Sequence, residues 1–263
     1  MYRQNMKTFI LCGGFGTRLD YEGKLKAKPM IKIGSKPILI YIIENFVFQG
    51  FNEFVFCLGH KSETITNYFL KEKKNYVKVL NKNKDNLKFQ FKNKKFNFIG
   101  NLVYTGSNTG TGGRIKIAYK SLKLNEDIMM TYGDGLSNVN IKNLIKFHYK
   151  NKSSVTLTAV KPKHRYGIIK LKKNKIDKFD NKNKSIDVFI NGGFFVIDKL
   201  AINKIKNNNS YWEEEPLSYY LKKKELFAFK HKGFWKSLDT MKDKNDFDNL
   251  IKKNKKPWIV KRN

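Results

Sequence analysis

Apolar positions along this chain fall into short runs separated by longer segments of helical spacing. Thr8-Phe9-Ile10-Leu11, Glu53 to Leu58, Asn101 to Tyr104, Asp127 to Tyr132, Ser154 to Val160 and Gly193 to Ile197 read as buried strands. Between them, Ile38, Tyr41, Ile42 and Phe46 recur at helical intervals. Ser35 is placed to cap that helix, Pro37 falls in its first turn, and Gly50 ends it. Ser62 to Phe69 predicts a second helix, and Ile115, Ala118, Tyr119 and Leu122 a third. Lys71 to Lys95 is so polar that it reads as loop with short β pieces, where subunits would meet. A hairpin is expected between Tyr166 and Phe179, and a charged helix from Asp239 onward. Strands alternating with helices predict an α/β fold, with a mostly parallel sheet covered on its faces. There is no internal repeat and no Pro/Gly linker, so residues 1–263 are expected to form a single domain.

Composition narrows the class. With 263 residues, 40% hydrophobic and 14% aromatic, the chain can bury a sizeable core. Its most apolar stretch, Ile38 to Phe48, is interrupted by Glu44 and Asn45 and is shorter than the roughly 20 residues a membrane helix needs. Met1-Tyr2-Arg3-Gln4-Asn5 leads into a strand rather than a leader's apolar segment, so a cytoplasmic protein without a membrane partner is expected. Cys12 and Cys57 both lie in strand contexts without zinc-site spacing, as reduced core thiols do. The balance of 54 Lys+Arg against 22 Asp+Glu, formally +32, raises nucleic acid as a partner. Only five of those basic residues are arginine, however, the side chain that grips phosphate bidentately and reads bases. Lysine is interleaved with asparagine throughout, so the charge reads as solvated surface and no specific nucleic-acid partner is expected.

The chemistry concentrates at glycines and a few charged groups. Leu11-Cys12-Gly13-Gly14-Phe15-Gly16-Thr17-Arg18 follows the first strand, with Lys28 downstream. Glycines there let backbone N–H groups face a bound anion, and Arg18 and Lys28 add full charges. No Gly-Lys-Ser/Thr follows, and the third Rossmann glycine would fall on Leu19, so this is a different phosphate grip. Thr109-Gly110-Thr111-Gly112-Gly113-Arg114 is a second glycine-rich stretch before a helix, a pattern that turn geometry alone also produces. Asp134 ends an apolar strand, at the edge where open α/β sheets bind ligands, and Asp239 is a second such carboxylate. On spacing alone, either aspartate could equally cap a helix.

Together these segments resemble the bacterial sugar-1-phosphate nucleotidyltransferases, from about Lys7 to Trp258. The resemblance rests on Gly13 to Leu19, Lys28-Pro29-Met30-Ile31-Lys32-Ile33-Gly34, Lys36-Pro37-Ile38-Leu39, Thr111-Gly112-Gly113-Arg114, Thr131-Tyr132-Gly133-Asp134-Gly135 and Ile190-Asn191-Gly192-Gly193. Trp212-Glu213-Glu214-Glu215-Pro216, Gly233-Phe234-Trp235 and Leu238-Asp239-Thr240 complete it. The Thr-Gly-Gly-Arg, Trp-Glu-x-Glu-Pro and Gly-Phe-Trp segments are those of the cytidylyl-transferring members that act on glucose 1-phosphate. The resemblance implies a Rossmann-like mixed, mostly parallel sheet flanked by helices, the nucleotide-diphospho-sugar transferase fold, with a small β-rich substrate and oligomerisation region. It also implies attack of a sugar 1-phosphate on CTP, with pyrophosphate leaving, and assembly as a homo-oligomer, a hexamer in the family.

Transferred onto this chain, the resemblance gives Arg18 and Lys28 catalytic roles on the triphosphate. Leu11, Gly13, Gly14, Gly16, Thr17, Thr111, Gly112, Arg114 and Asp134 would bind the nucleotide, the Thr111–Arg114 stretch lying against cytosine and ribose. Lys182, Asn191, Gly192 and Glu213 would face the acceptor, and Asp134 and Asp239 would hold Mg2+. One departure stands out. Members of the family carry Glu-Lys-Pro shortly before Ile-Asn-Gly-Gly, whereas this chain has Asn181-Lys182-Asn183. A neutral Asn181 both donates and accepts, so it does not reproduce a carboxylate that takes two sugar hydroxyls. The acceptor is therefore open between glucose 1-phosphate and another phosphorylated molecule. A basic binding protein that keeps the fold without turnover is the alternative from another class.

Overall fold

In the computed structural model, the described residues are 6–14, 25–162, 168–172, 175–180 and 188–260. Nine strands form one sheet: β1 (Thr8–Cys12), β2 (Glu53–Leu58), β3 (Val77–Lys82), β4 (Asn86–Lys92), β5 (Asn97–Tyr104), β6 (Ile128–Tyr132), β7 (Val155–Val160), β8 (Ile190–Ile197) and β9 (Leu226–His231). Their order is β9-β7-β8-β6-β1-β2-β5-β4-β3. The helices are α1 (Ile38–Phe48), α2 (Ser62–Asn67), α3 (Thr111–Ser121), α4 (Ile141–Lys150), α5 (Glu215–Lys222) and α6 (Met241–Lys252). The centre of the sheet, β6-β1-β2-β5, is parallel. The β7–β9 pair is parallel too, while β8 runs antiparallel to both of its neighbours and β3-β4-β5 form an antiparallel edge. The result is a mixed sheet flanked by helices.

Residue alternation along the central strands sorts side chains onto two buried faces. Ile10, Cys12, Phe54 and Phe56 pack with α1, α4 and Phe247 on one side. Phe9, Leu11, Val55 and Cys57 pack with Ile115, Ala118, Trp212 and Leu217 on the other. Both cysteines are free and buried, and burial lifts their thiols, Cys57 to about 12, so they stay protonated core groups.

Two elements differ from the reading of the sequence. Helix α1 begins at Ile38 rather than beside Ser35, because Lys36–Pro37 first pairs with Lys32–Ile33 in a two-residue ribbon; Pro37 is then the capping position and offers no side-chain bond. Gly50, at φ +92°, terminates the turn as expected. The polar segment before β5 is not chiefly loop. Phe89 and Phe91 are buried between outward Lys88 and Lys92, a period of two that the surrounding lysines and asparagines conceal. The expected hairpin is present as strands Ile168–Lys172 and Lys175–Asp180.

The parallel strands β1, β2 and β6 end side by side, with Gly13, Gly59 and Gly133 immediately after them. All the candidate chemistry among the described residues gathers around that edge.

Candidate active site

Asp134 and Asp239 lie 105 positions apart in sequence, and a short ribbon brings them together. Gly135–Ser137 pairs antiparallel with Trp235–Ser237, and the Leu238 N–H donates to the Asp134 carbonyl at 2.8 Å. Neither aspartate is a helix cap. Asn140 caps α4, and Thr240 caps α6 in a reciprocal box with Asp243. Both carboxylates are thus free to turn to a common point, which Lys28 occupies. Its ammonium donates to Asp134 Oδ2 at 2.6 Å and to Asp239 Oδ1 at 2.8 Å. Burial opposes the charge on Lys28, but the two carboxylates more than offset this and hold its pKa above the ordinary lysine value. Asp239 is itself held below the usual carboxylate range: burial works against it, and hydrogen bonds from Lys28 and Ser237 outweigh burial.

This cluster stands at a cavity of about 200 Å³ lined by Leu11, Gly13, Gly14, Lys28, Pro29, Thr109, Thr111, Arg114, Tyr132, Gly133, Asp134 and Tyr211. Of the residues expected from sequence, seven meet in this wall: Leu11, Gly13, Gly14, Lys28, Thr111, Arg114 and Asp134. Thr109 and Tyr132 belong to segments that the sequence singles out without a role for either, and Tyr211 only adjoins one. Tyr132 precedes Gly133-Asp134, and Tyr211 precedes Trp212. Gly16, Thr17, Arg18 and Lys182 lie outside the described residues.

The glycines around the cavity serve different ends. A Cβ at Gly14 would meet nothing within 4 Å, so that position opens onto the cavity. A Cβ at Gly13 would fall 2.2 Å from Arg114 Cζ, and one at Gly59 2.1 Å from Arg114 Nη1. The Arg114 guanidinium therefore passes between these two loops. It donates to Leu58 O, Thr105 Oγ1, Gly106 O, Ser107 O and Gly13 O, at 2.7–3.3 Å. In the second glycine stretch, Cβ atoms at Gly110, Gly112 and Gly113 would come within 2.4, 2.9 and 2.0 Å of backbone oxygens of residues 208–210. That stretch is glycine because another chain segment lies directly on it.

A second polar group joins the remaining candidates. The Glu213 carboxylate accepts from Tyr132 OH on one oxygen and from Thr111 Oγ1, at 2.5 Å, on the other. Thr111 Oγ1 in turn accepts from the Trp212 N–H at 2.8 Å. Asn191 Nδ2 reaches Tyr132 OH at 3.4 Å, while its Oδ1 takes the Gly193 N–H at 2.8 Å. Burial raises the Tyr132 phenol, and the Glu213 charge beside it raises it further, so Tyr132 remains a donor at neutral pH. Gly192 is buried, and its carbonyl accepts from Trp235 Nε1 at 2.7 Å, so it fixes the neighbouring strand.

Asp134 and Asp239 also fit a hard divalent cation. Their oxygens already converge on one positive charge, and carboxylate oxygen is the donor such ions prefer. Among the described residues, no group of three or more His, Cys, Asp or Glu side chains could hold a metal. Two carboxylates leave the rest of the shell to water and phosphate oxygens, the arrangement Mg2+ tolerates best. Among the described residues, no helix is long and apolar enough to cross a membrane.

A family model described as "Nucleotidyl transferase" matches residues 7–252. A "Glucose-1-phosphate cytidylyltransferase" of Salmonella typhimurium is 38% identical over 96% of this chain and 98% of its own length. A "Probable glucose-1-phosphate cytidylyltransferase" of Bacillus subtilis is 35% identical over 97% of this chain and its own full length. Among solved structures, HddC from Yersinia pseudotuberculosis, complexed with GMP-PN, superposes with a TM-score of 0.68 at 21% identity, covering 94% of this chain and 99% of that one. A putative glucose-1-phosphate thymidylyltransferase from Bacillus anthracis superposes with a TM-score of 0.66 at 16% identity, over 93% of this chain and 94% of that one. These two structural likenesses speak to the fold.

Proposed function

The chain belongs to the nucleotidyl transferase family, and we propose that it transfers CMP from CTP to α-D-glucose 1-phosphate, releasing pyrophosphate and forming CDP-glucose. The relatives carrying that activity in their names span nearly the whole chain at 35–38% identity. The observation that carries the reading is the convergence of Lys28, Asp134 and Asp239 beside a cavity bordered by Gly13 and Gly14.

Both reactants are polyanions. Each pair of unit charges at 4 Å repels by about 1 kcal/mol in water and about 4 kcal/mol in a partly dry site. Positioning and charge stabilisation therefore dominate the chemistry. Lys28, held by both carboxylates, would steady the α-phosphate with its positive charge. Asp134 and Asp239 would hold Mg2+, which would supply Lewis acidity and a template for the phosphate oxygens. The Gly13–Gly14 backbone cradles the triphosphate, with Arg18 on the departing pyrophosphate. Asn191 and Glu213 would present an amide and a carboxylate to the sugar, Tyr132 would orient Glu213 by donating to it, and Lys182 would meet the sugar's phosphate. The active protein is taken to be a cytoplasmic homo-oligomer.

Asn181 favours a second reading on the acceptor side alone: the same cytidylyl transfer to a different phosphate ester. A pyrophosphate-release matrix tests both, setting CTP, UTP, dTTP and ATP against glucose 1-phosphate and other phosphate esters. Turnover confined to CTP with glucose 1-phosphate is expected. Turnover of CTP only with another ester moves the acceptor, and no turnover of CTP with any ester overturns the cytidylyl assignment.

A further inference from the structure

Asp134 and Asp239 both accept from Lys28, but their second oxygens are treated differently. Lys28 donates to Oδ2 of Asp134 and to Oδ1 of Asp239. The other oxygen of Asp239, Oδ2, accepts from the Ser237 hydroxyl. Among the described residues, no hydrogen bond is made to the other oxygen of Asp134. One carboxylate of the pair is therefore tethered at both ends, and its partner at one.

Local chain geometry puts the serine in reach. Leu238, between the two residues, is fully buried in the core. Side chains alternate along an extended segment, so Ser237 and Asp239 share the side away from that core. Ser237 pairs with Gly135, next to Asp134, and the following Leu238 N–H donates to the Asp134 carbonyl, so the serine backbone is fixed by the ribbon. The Asp239 backbone is held in turn from α6, its N–H donating to Asp243 Oδ2 at 3.3 Å. With both backbones fixed, the hydroxyl sets how the carboxylate is turned and leaves Oδ1 as the oxygen facing the point shared with Asp134.

We propose that Ser237 is a positioning residue: it makes Asp239 a one-oxygen ligand and thereby favours Mg2+ over Ca2+ at the Asp134–Asp239 pair. This rests on the reading that the pair holds a divalent cation. A cation that takes Asp239 through Oδ1 alone leaves the serine bond intact, whereas one that grips both oxygens must displace the hydroxyl. Mg2+ demands a near-ideal octahedron, keeps several waters and is bound through one or two carboxylates. Ca2+ takes about six to eight oxygens in a flexible shell and accepts a carboxylate through both of its oxygens. The tether therefore denies the larger ion a mode of binding that the smaller one does not use. A merely structural serine would affect both ions alike.

The test is binding of Mn2+ to the full chain, read from the electron paramagnetic resonance signal of the free ion, with Mg2+ and Ca2+ as competitors and no nucleotide present. Ser237→Ala, Ser237→Thr and Asp239→Asn are compared with wild type, and folding is followed by circular dichroism. Ser237→Ala is expected to weaken Mn2+ and Mg2+ about tenfold, the scale on which hydrogen-bonded partners of metal ligands act, and Ca2+ by less, so the ratio of Mg2+ to Ca2+ affinity falls. Ser237→Thr retains the hydroxyl and should keep that ratio near the wild-type value. An unchanged ratio in folded Ser237→Ala overturns the proposal, and so does a folded threonine variant that behaves as the alanine one. Should Asp239→Asn bind Mn2+ as wild type does, the cation lies elsewhere and the metal reading falls together with the proposal. Loss of Mn2+ in Asp239→Asn beside an unchanged ratio in Ser237→Ala leaves the metal reading standing and removes the role of Ser237 alone.

Discussion

The chain has two glycine-rich stretches, and in sequence they look alike. At Gly13–Gly14 the backbone faces a cavity, and a side chain at Gly14 would meet only open space. At Gly110–Gly113 the backbone faces protein. The Gly110 N–H donates to Asn208 O at 2.9 Å and the Gly113 N–H to Ser210 O at 3.1 Å, so amides at the N-terminus of α3 are already taken. A helix N-terminus invites an anion only while its donors are free. Glycine alone therefore does not mark a phosphate site; what lies over the glycine does.

The largest effect expected from this contrast is on the charged group beside the open stretch. Asp134→Asn or Asp239→Asn removes a full charge from the point where Lys28 sits, and turnover measured by pyrophosphate release is expected to fall about 10²–10³-fold. The fold should survive, since the ribbon joining the two residues is made by backbone bonds. Undiminished turnover in either variant would detach the carboxylates from the chemistry. Next comes the contrast itself. Gly113→Ala sets a Cβ 2.0 Å from Asn208 O, a backbone atom that cannot swing away, and should lower unfolding free energy by about 3 kcal/mol. Gly14→Ala should change it by less than about 0.5 kcal/mol. Urea denaturation of the two variants side by side decides this, and equal losses would break the distinction.

How far the sequence discloses this arrangement depends on the kind of information involved. Strands β1, β2 and β6 are legible because short apolar runs bounded by glycine leave few other options. Strands β3 and β4 are hidden because only Phe89 and Phe91 on one face of β4 are deeply buried, while lysine and asparagine interrupt the exposed apolar residues of β3. The meeting of Asp134 with Asp239 is legible only through the family resemblance, since it depends on a three-residue ribbon between distant segments. The contacts of Arg114 are not legible at all. Two glycines precede it and Ile115 follows, and its five partners lie at positions 13, 58 and 105–107. Tyr132 is overlooked because an aromatic residue at the end of an apolar strand reads as core, and only its bond to Glu213 shows otherwise.

The covered stretch is also tied down by a side chain. Thr111→Val removes the hydroxyl that donates to Glu213 and accepts from the Trp212 N–H, leaving that amide without this partner. A loss of about 1–2 kcal/mol is expected, read as a lowered midpoint of thermal unfolding, with Thr111→Ser restoring most of it. If serine fails to restore stability, the methyl group rather than the hydrogen bonds holds residues 211–213 in place.

The smallest effect separates the two stretches by pH. Lys28 has its pKa raised above the unfolded value, so its stabilising contribution is complete below the ordinary lysine pKa and is lost as pH climbs through the raised value. On the acid side the pair with Asp239 persists until pH falls below the ordinary carboxylate range, because that pKa is depressed. The contacts over Gly110 and Gly113 join neutral amides to carbonyls and carry no such dependence. Removing one carboxylate in Asp239→Asn weakens the hold on the Lys28 proton, and the raised pKa moves back toward the ordinary value. The gap in unfolding midpoint between wild type and Asp239→Asn should therefore stay constant up to the ordinary lysine value of 10.5 and narrow only as pH climbs above it. The gap between wild type and Gly113→Ala should stay level over the same range. If both gaps stay level, the Lys28 cluster adds no proton-linked stability, and the two stretches differ in packing alone.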